Sequence, residues 1–105
     1  MTRQTKLTKL TKAARGRDCQ VRLPGCPGDT ETVVLAHYRL AGICGTGMKP
    51  PDLIGAWACE YCHSLSDGRT NRNILGMSYD EIRLYHAEAV LRTQAILIKE
   101  GKVSA

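Results

Sequence analysis

Five cysteines, at positions 19, 26, 44, 59 and 62, are the residues whose type and spacing most plainly suggest chemistry. Cys59-Glu60-Tyr61-Cys62 places two thiolates at one turn, where both can hold the same ion. A tetrahedral site needs two further ligands, and Cys19 and Cys26 can supply them. Zinc suits such a set. Cys44 is the spare: it either replaces one of the four or is a buried thiol behaving as a small hydrophobe. The competing reading is that all of them are unmetallated core thiols. Cys59-x2-Cys62-His63 also fits a c-type haem attachment, but haem leaves the surplus cysteines unexplained. A thioredoxin-like redox pair needs a βαβ pattern around it, and none is legible here.

His37, His63 and Asp67 form a second constellation. His63 and Asp67 are four apart, so on one helix they share a face. An imidazole and a carboxylate so placed can hold a divalent cation with water positions left open. His37 ends the preceding extended segment and can approach from the opposite wall. A general base beside a metal-bound phosphate is the minimum equipment for phosphodiester hydrolysis. Each of these residues alone is more often structural. His86, mid-helix, reads as a packed or surface residue.

The chain that must position these groups has 105 residues, enough for one domain. It has no Phe and one Trp, so its core is thin, and small domains of this kind often rely on a metal. No apolar run approaches the roughly 20 residues that span a membrane. The first residues lack the apolar stretch of a signal peptide, so a cytoplasmic, reducing location is expected, where disulfides are rare. The net charge is +5, and it is concentrated. Residues 1–17 carry Arg3, Lys6, Lys9, Lys12, Arg15 and Arg17 with no acid, while the rest is nearly neutral. Such an arm attracts polyanions, nucleic acid above all; the alternative is a solvated terminus.

The pattern predicts a short helix over 12–17 and a strand over 18–23. A turn-rich knuckle follows around Cys26, then an extended segment over 30–40 reaching His37. A long irregular loop follows, because its glycines and its Pro50-Pro51 pair exclude regular structure. A second strand is expected over 53–58, a helix from Cys59 to about Gly68, and a loop over 69–77. Ser78-x2-Glu81 is a capping box that opens a last helix ending near Gly101. Along it Ile82, Tyr85, Ala89, Thr93 and Ile96 share one face, and Leu84, Leu91, Ala95 and Ile98 a second. The first face suits the core. The second suits further burial or a homodimer contact.

Taken in order, Leu35-Ala36-His37-Tyr38-Arg39, Gly45-Thr46-Gly47-x-Lys49-Pro50-Pro51-Asp52 and Ala58-Cys59-x2-Cys62-His63-x3-Asp67 resemble the HNH, or ββα-metal, endonucleases. The match is nearest to the lambdoid-prophage group of small nucleases typified by YbcO, and the chain is similar also to the phage RecA-dependent nuclease Ref. The resemblance implies an α+β fold: a small zinc-stabilised ββα-metal domain over 18–105 with a long C-terminal helix, preceded by a flexible basic arm over 1–17. It implies His37 as general base and His63 and Asp67 as ligands of a catalytic cation, magnesium or manganese. Cys59 and Cys62 correspond to the second half of a structural zinc site. Three positions depart from the family pattern. Ala36 precedes His37 where a metal ligand is common, the middle Asn has only Asp52 near it, and Asp67 stands where the Ref-like pattern has histidine.

The expected activity is metal-dependent DNA endonuclease action of low sequence specificity, of phage or prophage origin. Arg15, Arg17, Arg39, Lys49, Arg69 and Arg72 are the expected phosphate contacts. The alternative is a non-catalytic zinc module that binds DNA or assists a recombination protein.

Overall fold

A computed structural model describes residues 8–43 and 50–104 of the chain. Two antiparallel strands, β1 (Val34–His37) and β2 (Gly55–Ala58), pair in the register Val34↔Ala58 to His37↔Gly55. Both are shorter than the sequence pattern suggests. Thr30–Thr32 and Asp52–Ile54 are 3-10 turns that lead into them, the first capped by the Asp29 side chain. The expected strand over 18–23 does not form. Its alternation does bury Val21 and Leu23, and its Gln20 N–H reaches the Trp57 carbonyl at 2.7 Å. Arg22, however, takes a left-handed φ of 55°, which breaks an extended run.

β2 runs straight into helix α2 (Glu60–Asp67) through Cys59, which is the N-cap. Gly68 ends the helix at a φ of 83°, a left-handed cap that suits glycine. Arg72–Leu75 is a further 3-10 turn in the stretch expected to be loop. Helix α3 (Tyr79–Lys99) opens on the capping box read from sequence: Ser78 Oγ accepts from Glu81 N–H and Glu81 Oε1 accepts from Ser78 N–H. It lies across β2 with Ile82, Ala89, Thr93 and Leu97 buried, and Thr93 Oγ1 accepts the Trp57 N–H at 3.1 Å. Full burial of a side chain such as Ile82 or Leu97 contributes about 1.5–3 kcal/mol. The second apolar face, Leu84, Leu91 and Ile98, is exposed in the single chain. No helix among the described residues is long and apolar enough to cross a membrane.

Residues 8–17, counted with the arm in the sequence, dock on this body. Lys9–Ala13 forms a short helix, α1, capped by Thr8 and starting earlier than the pattern suggests. Ala14 is fully buried in the core. Arg17 stacks on Trp57, 4.6 Å from the ring centroid, and makes a two-pronged ion pair with Glu100 at 2.6 Å.

Candidate zinc site and candidate active site

Cys19, Cys26, Cys59 and Cys62 converge, with all four Sγ atoms within 4.8 Å of one another. The Cys26 and Cys59 sulfurs are 3.6 Å apart. Thiolates at tetrahedral positions around zinc have S–S edges of about 3.8 Å, so the cluster fits that ion. Its chemistry points the same way. The Cys19 thiol is pushed down to about 4, chiefly because Cys62 donates to it. That same hydrogen bond, together with burial, pushes Cys62 up, and burial pushes Cys59 up to about 11. One thiolate is therefore easy to form here and the next ones are not, which is the condition that a bound dication relieves. The knuckle carrying Cys19 and Cys26 is tied to α2 by Tyr61, whose hydroxyl donates to the Pro24 carbonyl at 2.7 Å. Gly25 is required beneath that ring, because a Cβ there would run into Tyr61 Oη. Cys44 and Lys49 lie outside the described residues.

On the other face of α2 a pocket of about 160 Å³ is lined by His37, Arg39, His63, Asp67, Arg72 and Arg83, among others. Helix geometry explains the division of labour. Cys62 and Leu65 turn inward, while His63 and Asp67, one turn apart, share the pocket side. His37 comes from the end of β1. Its Nε2 lies 2.7 Å from Asp52 Oδ1. An ionised carboxylate only accepts, so Nε2 donates in this pair, and in the neutral ring that leaves the lone pair on Nδ1. His63 is held differently: Arg69 Nη2 donates to its Nδ1 at 3.3 Å, and Arg69 Nε stands 3.4 Å from Asp67 Oδ2. Burial first, and then the Arg69 charge, pushes His63 below its ordinary pKa. Among the described residues the four cysteines are the one group of three or more potential ligands gathered this closely. His63 and Asp67 therefore offer a two-ligand site with a guanidinium across it.

Of the expected phosphate contacts, Arg39 and Arg72 line the pocket, whereas Arg15 and Arg17 do not. Arg72 is anchored by the Leu65 and Ser66 carbonyls at 2.8 and 2.9 Å and stacks on Tyr79. Arg83 was not singled out in the sequence, yet it lines the same pocket. It lies 4.4 Å from the Tyr38 centroid and donates to the Arg39 carbonyl and Tyr79 hydroxyl. Its signal was its position five residues after the Ser78 cap, on the first turns of α3, which reach Tyr38 and Arg39 just past β1. Asp52, noted only as nearest to a missing Asn, is the partner of His37. His86 is buried, donates from Nε2 to the Ala36 carbonyl at 3.0 Å, and packs edge-on to Tyr38. Ser66 Oγ, enclosed at the pocket, has no hydrogen-bond partner among the described residues.

The family described as "Putative nuclease YbcO" matches residues 8–102. The chain belongs to the YbcO family. "Putative nuclease YbcO" of Escherichia coli (strain K12) is 53% identical over 100 residues, spanning 94% of this chain and all of that one. "Putative nuclease ybcO" of Enterobacteria phage 82 shows the same identity and coverage. A solved structure, titled "Structure of a putative bacteriophage protein from Escherichia coli str. K-12 substr. MG1655", is similar with a TM-score of 0.72 and 45% identity. That likeness covers 88% of this chain and 99% of the other. Membership of the YbcO family suggests a nuclease function and a nucleic-acid substrate.

Proposed function

We propose that the protein is a metal-dependent DNA endonuclease of the HNH type and of low sequence specificity. The observation that carries this reading is the His37–Asp52 pair, at 2.7 Å, facing His63 and Asp67 across an arginine-lined pocket. Asp52 holds the His37 ring in the tautomer that leaves Nδ1 able to take a proton from water. Arg39, Arg72 and Arg83 supply positive charge for the phosphate oxygens, and Tyr79 and Tyr38 keep two of those guanidinium groups in place. Magnesium or manganese at His63 and Asp67 would polarise the scissile phosphodiester. Zinc at Cys19, Cys26, Cys59 and Cys62 would hold α2, and so both of those ligands, in position.

The test is nicking of supercoiled plasmid with magnesium or manganese by the wild type and by His37→Ala, with zinc content and folding matched. The wild type cuts and His37→Ala does not. Cutting by neither protein with any metal overturns the nuclease reading.

One observation favours a second reading, a non-catalytic zinc module that binds DNA or assists recombination. Arg69 spans His63 and Asp67. Any cation bound by His63 displaces it: Nδ1 as ligand removes the acceptor, and Nε2 as ligand puts a proton on Nδ1. A module of this kind binds the plasmid with the same affinity with and without added magnesium and leaves it intact.

A further inference from the structure

Thr8 caps α1 and lies 44 positions from Asp52 in sequence, yet the two side chains meet. Resting on the nuclease reading above, we infer that Thr8 is a positioning residue for the general base, acting on His37 through Asp52. The hydrogen bonds run in one direction. Thr8 Oγ1 accepts from the Thr11 N–H at 3.1 Å, and Thr11 Oγ1 lies 2.9 Å away. With its lone pairs so engaged, the Thr8 hydroxyl directs its hydrogen to Asp52 Oδ2 at 2.5 Å. Asp52 Oδ1 takes the His37 Nε2–H at 2.7 Å. Each carboxylate oxygen thus has its own donor, from two different elements.

This arrangement fixes a torsion that is otherwise soft. The terminal torsion of an aspartate is broad and roughly two-fold, so each donor on its oxygens narrows the range the carboxylate samples. The Thr8 donor on Oδ2 turns the carboxylate so that an Oδ1 lone pair is aimed at Nε2. The His37 ring is then set in both plane and tautomer, with Nδ1 directed for proton transfer. Partners of this outer kind, which touch only the orienting group, typically change activity by about 10–100-fold when removed. The helix that supplies the hydroxyl also carries Lys9 and Lys12. The basic segment and the base are therefore joined through one carboxylate.

The experiment uses full-length, zinc-loaded protein with three substitutions. Thr8→Ser keeps both roles. Thr8→Asp keeps the helix cap, removes the donor and sets a second carboxylate against Asp52. Thr8→Val removes both. Side-chain nitrogen NMR of His37 and plasmid-nicking kinetics are read on each. The wild type and Thr8→Ser show a single Nε2–H tautomer. Thr8→Asp and Thr8→Val show mixed tautomers, with kcat reduced about tenfold and KM within about twofold. Wild-type His37 signals and kcat in Thr8→Asp reduce Thr8 to a helix cap and overturn the inference, as does a Thr8→Ser protein as impaired as Thr8→Val. A wild type that fails to nick defeats the nuclease reading instead, and the His37 tautomers in the three variants still decide whether Thr8 sets the ring.

Discussion

Zinc held by the four cysteines would be more than a cross-link. Structural zinc in small modules contributes about 10–16 kcal/mol of apparent binding free energy at neutral pH. A domain of this size has a net stability of about 5–15 kcal/mol. The first is a standard-state binding energy, so the stability that the fold gains is set by free zinc relative to Kd, and the metal-free chain is weaker by that amount. The structure shows where it gives way first. Without the ion, the segment bearing Cys19 and Cys26 keeps the burial of Val21 and Leu23, the Tyr61 bond to Pro24, and the Arg92 bond to the Gln20 carbonyl at 2.6 Å. Those tethers are worth about 1 kcal/mol each at the hydrogen bonds, far less than the metal. Free zinc at a thousand times Kd adds about 4.1 kcal/mol, and a domain near this length moves about 4–8 °C in Tm per kcal/mol. The expected difference between zinc-loaded and chelated protein is therefore about 15–30 °C. Thermal melts followed by circular dichroism, with zinc release read by a chromogenic chelator, measure it. Amide exchange should show residues 19–26 losing protection before α3 does. A chelated protein melting within about 5 °C of the loaded one would refute the claim that the four cysteines hold the fold together through a metal.

Two further outcomes follow from the pocket and its back wall. Arg83→Ala should weaken DNA binding and lower the salt slope by about one; anisotropy titrations between low and moderate salt check this, and an unchanged slope means Arg83 touches no phosphate. Burial pushes His86 below its ordinary pKa, against the opposing pull of the Ala36 carbonyl. As pH falls below about 6.5 the unfolded chain takes up a proton that the folded one resists, so stability is full above that pH and declines below it. His63, shifted the same way, adds to the slope. His86→Gln should therefore lose less Tm than the wild type between pH 7.5 and 5.5, and equal losses would place the acid sensitivity elsewhere.

The cysteine site was legible because ligand chemistry constrains residue type and local spacing together. The order of β1, β2, α2 and α3 was legible for similar reasons: the Ser78–Glu81 box, the Gly68 cap and the β-branched run before His37 are local signals. What escaped were pairings that depend on the fold. Asp52 is 15 residues from His37, and nothing in its neighbourhood marks it as a histidine's partner. Arg83 is an ordinary helix residue until the start of α3 meets Tyr38 and Arg39. Arg17 reads as one more charge in a basic run, but Trp57 and Glu100 engage it. Charge statistics count such a residue as available when packing has already used it.

Helix α2 has a consequence for how sequences of this kind diverge. Cys62 and His63 are adjacent in the chain but face opposite ways, one toward the sulfur cluster and one toward the pocket. On the nuclease reading, requirements for folding and requirements for chemistry thus fall on different sides of a single turn. A copy that lost His37 or Asp67 by drift would still collect zinc, fold and melt like its parent. On that reading, persistence of the four cysteines among related copies would be a record of foldedness, and the residues on the pocket side would be the ones that date a loss of activity.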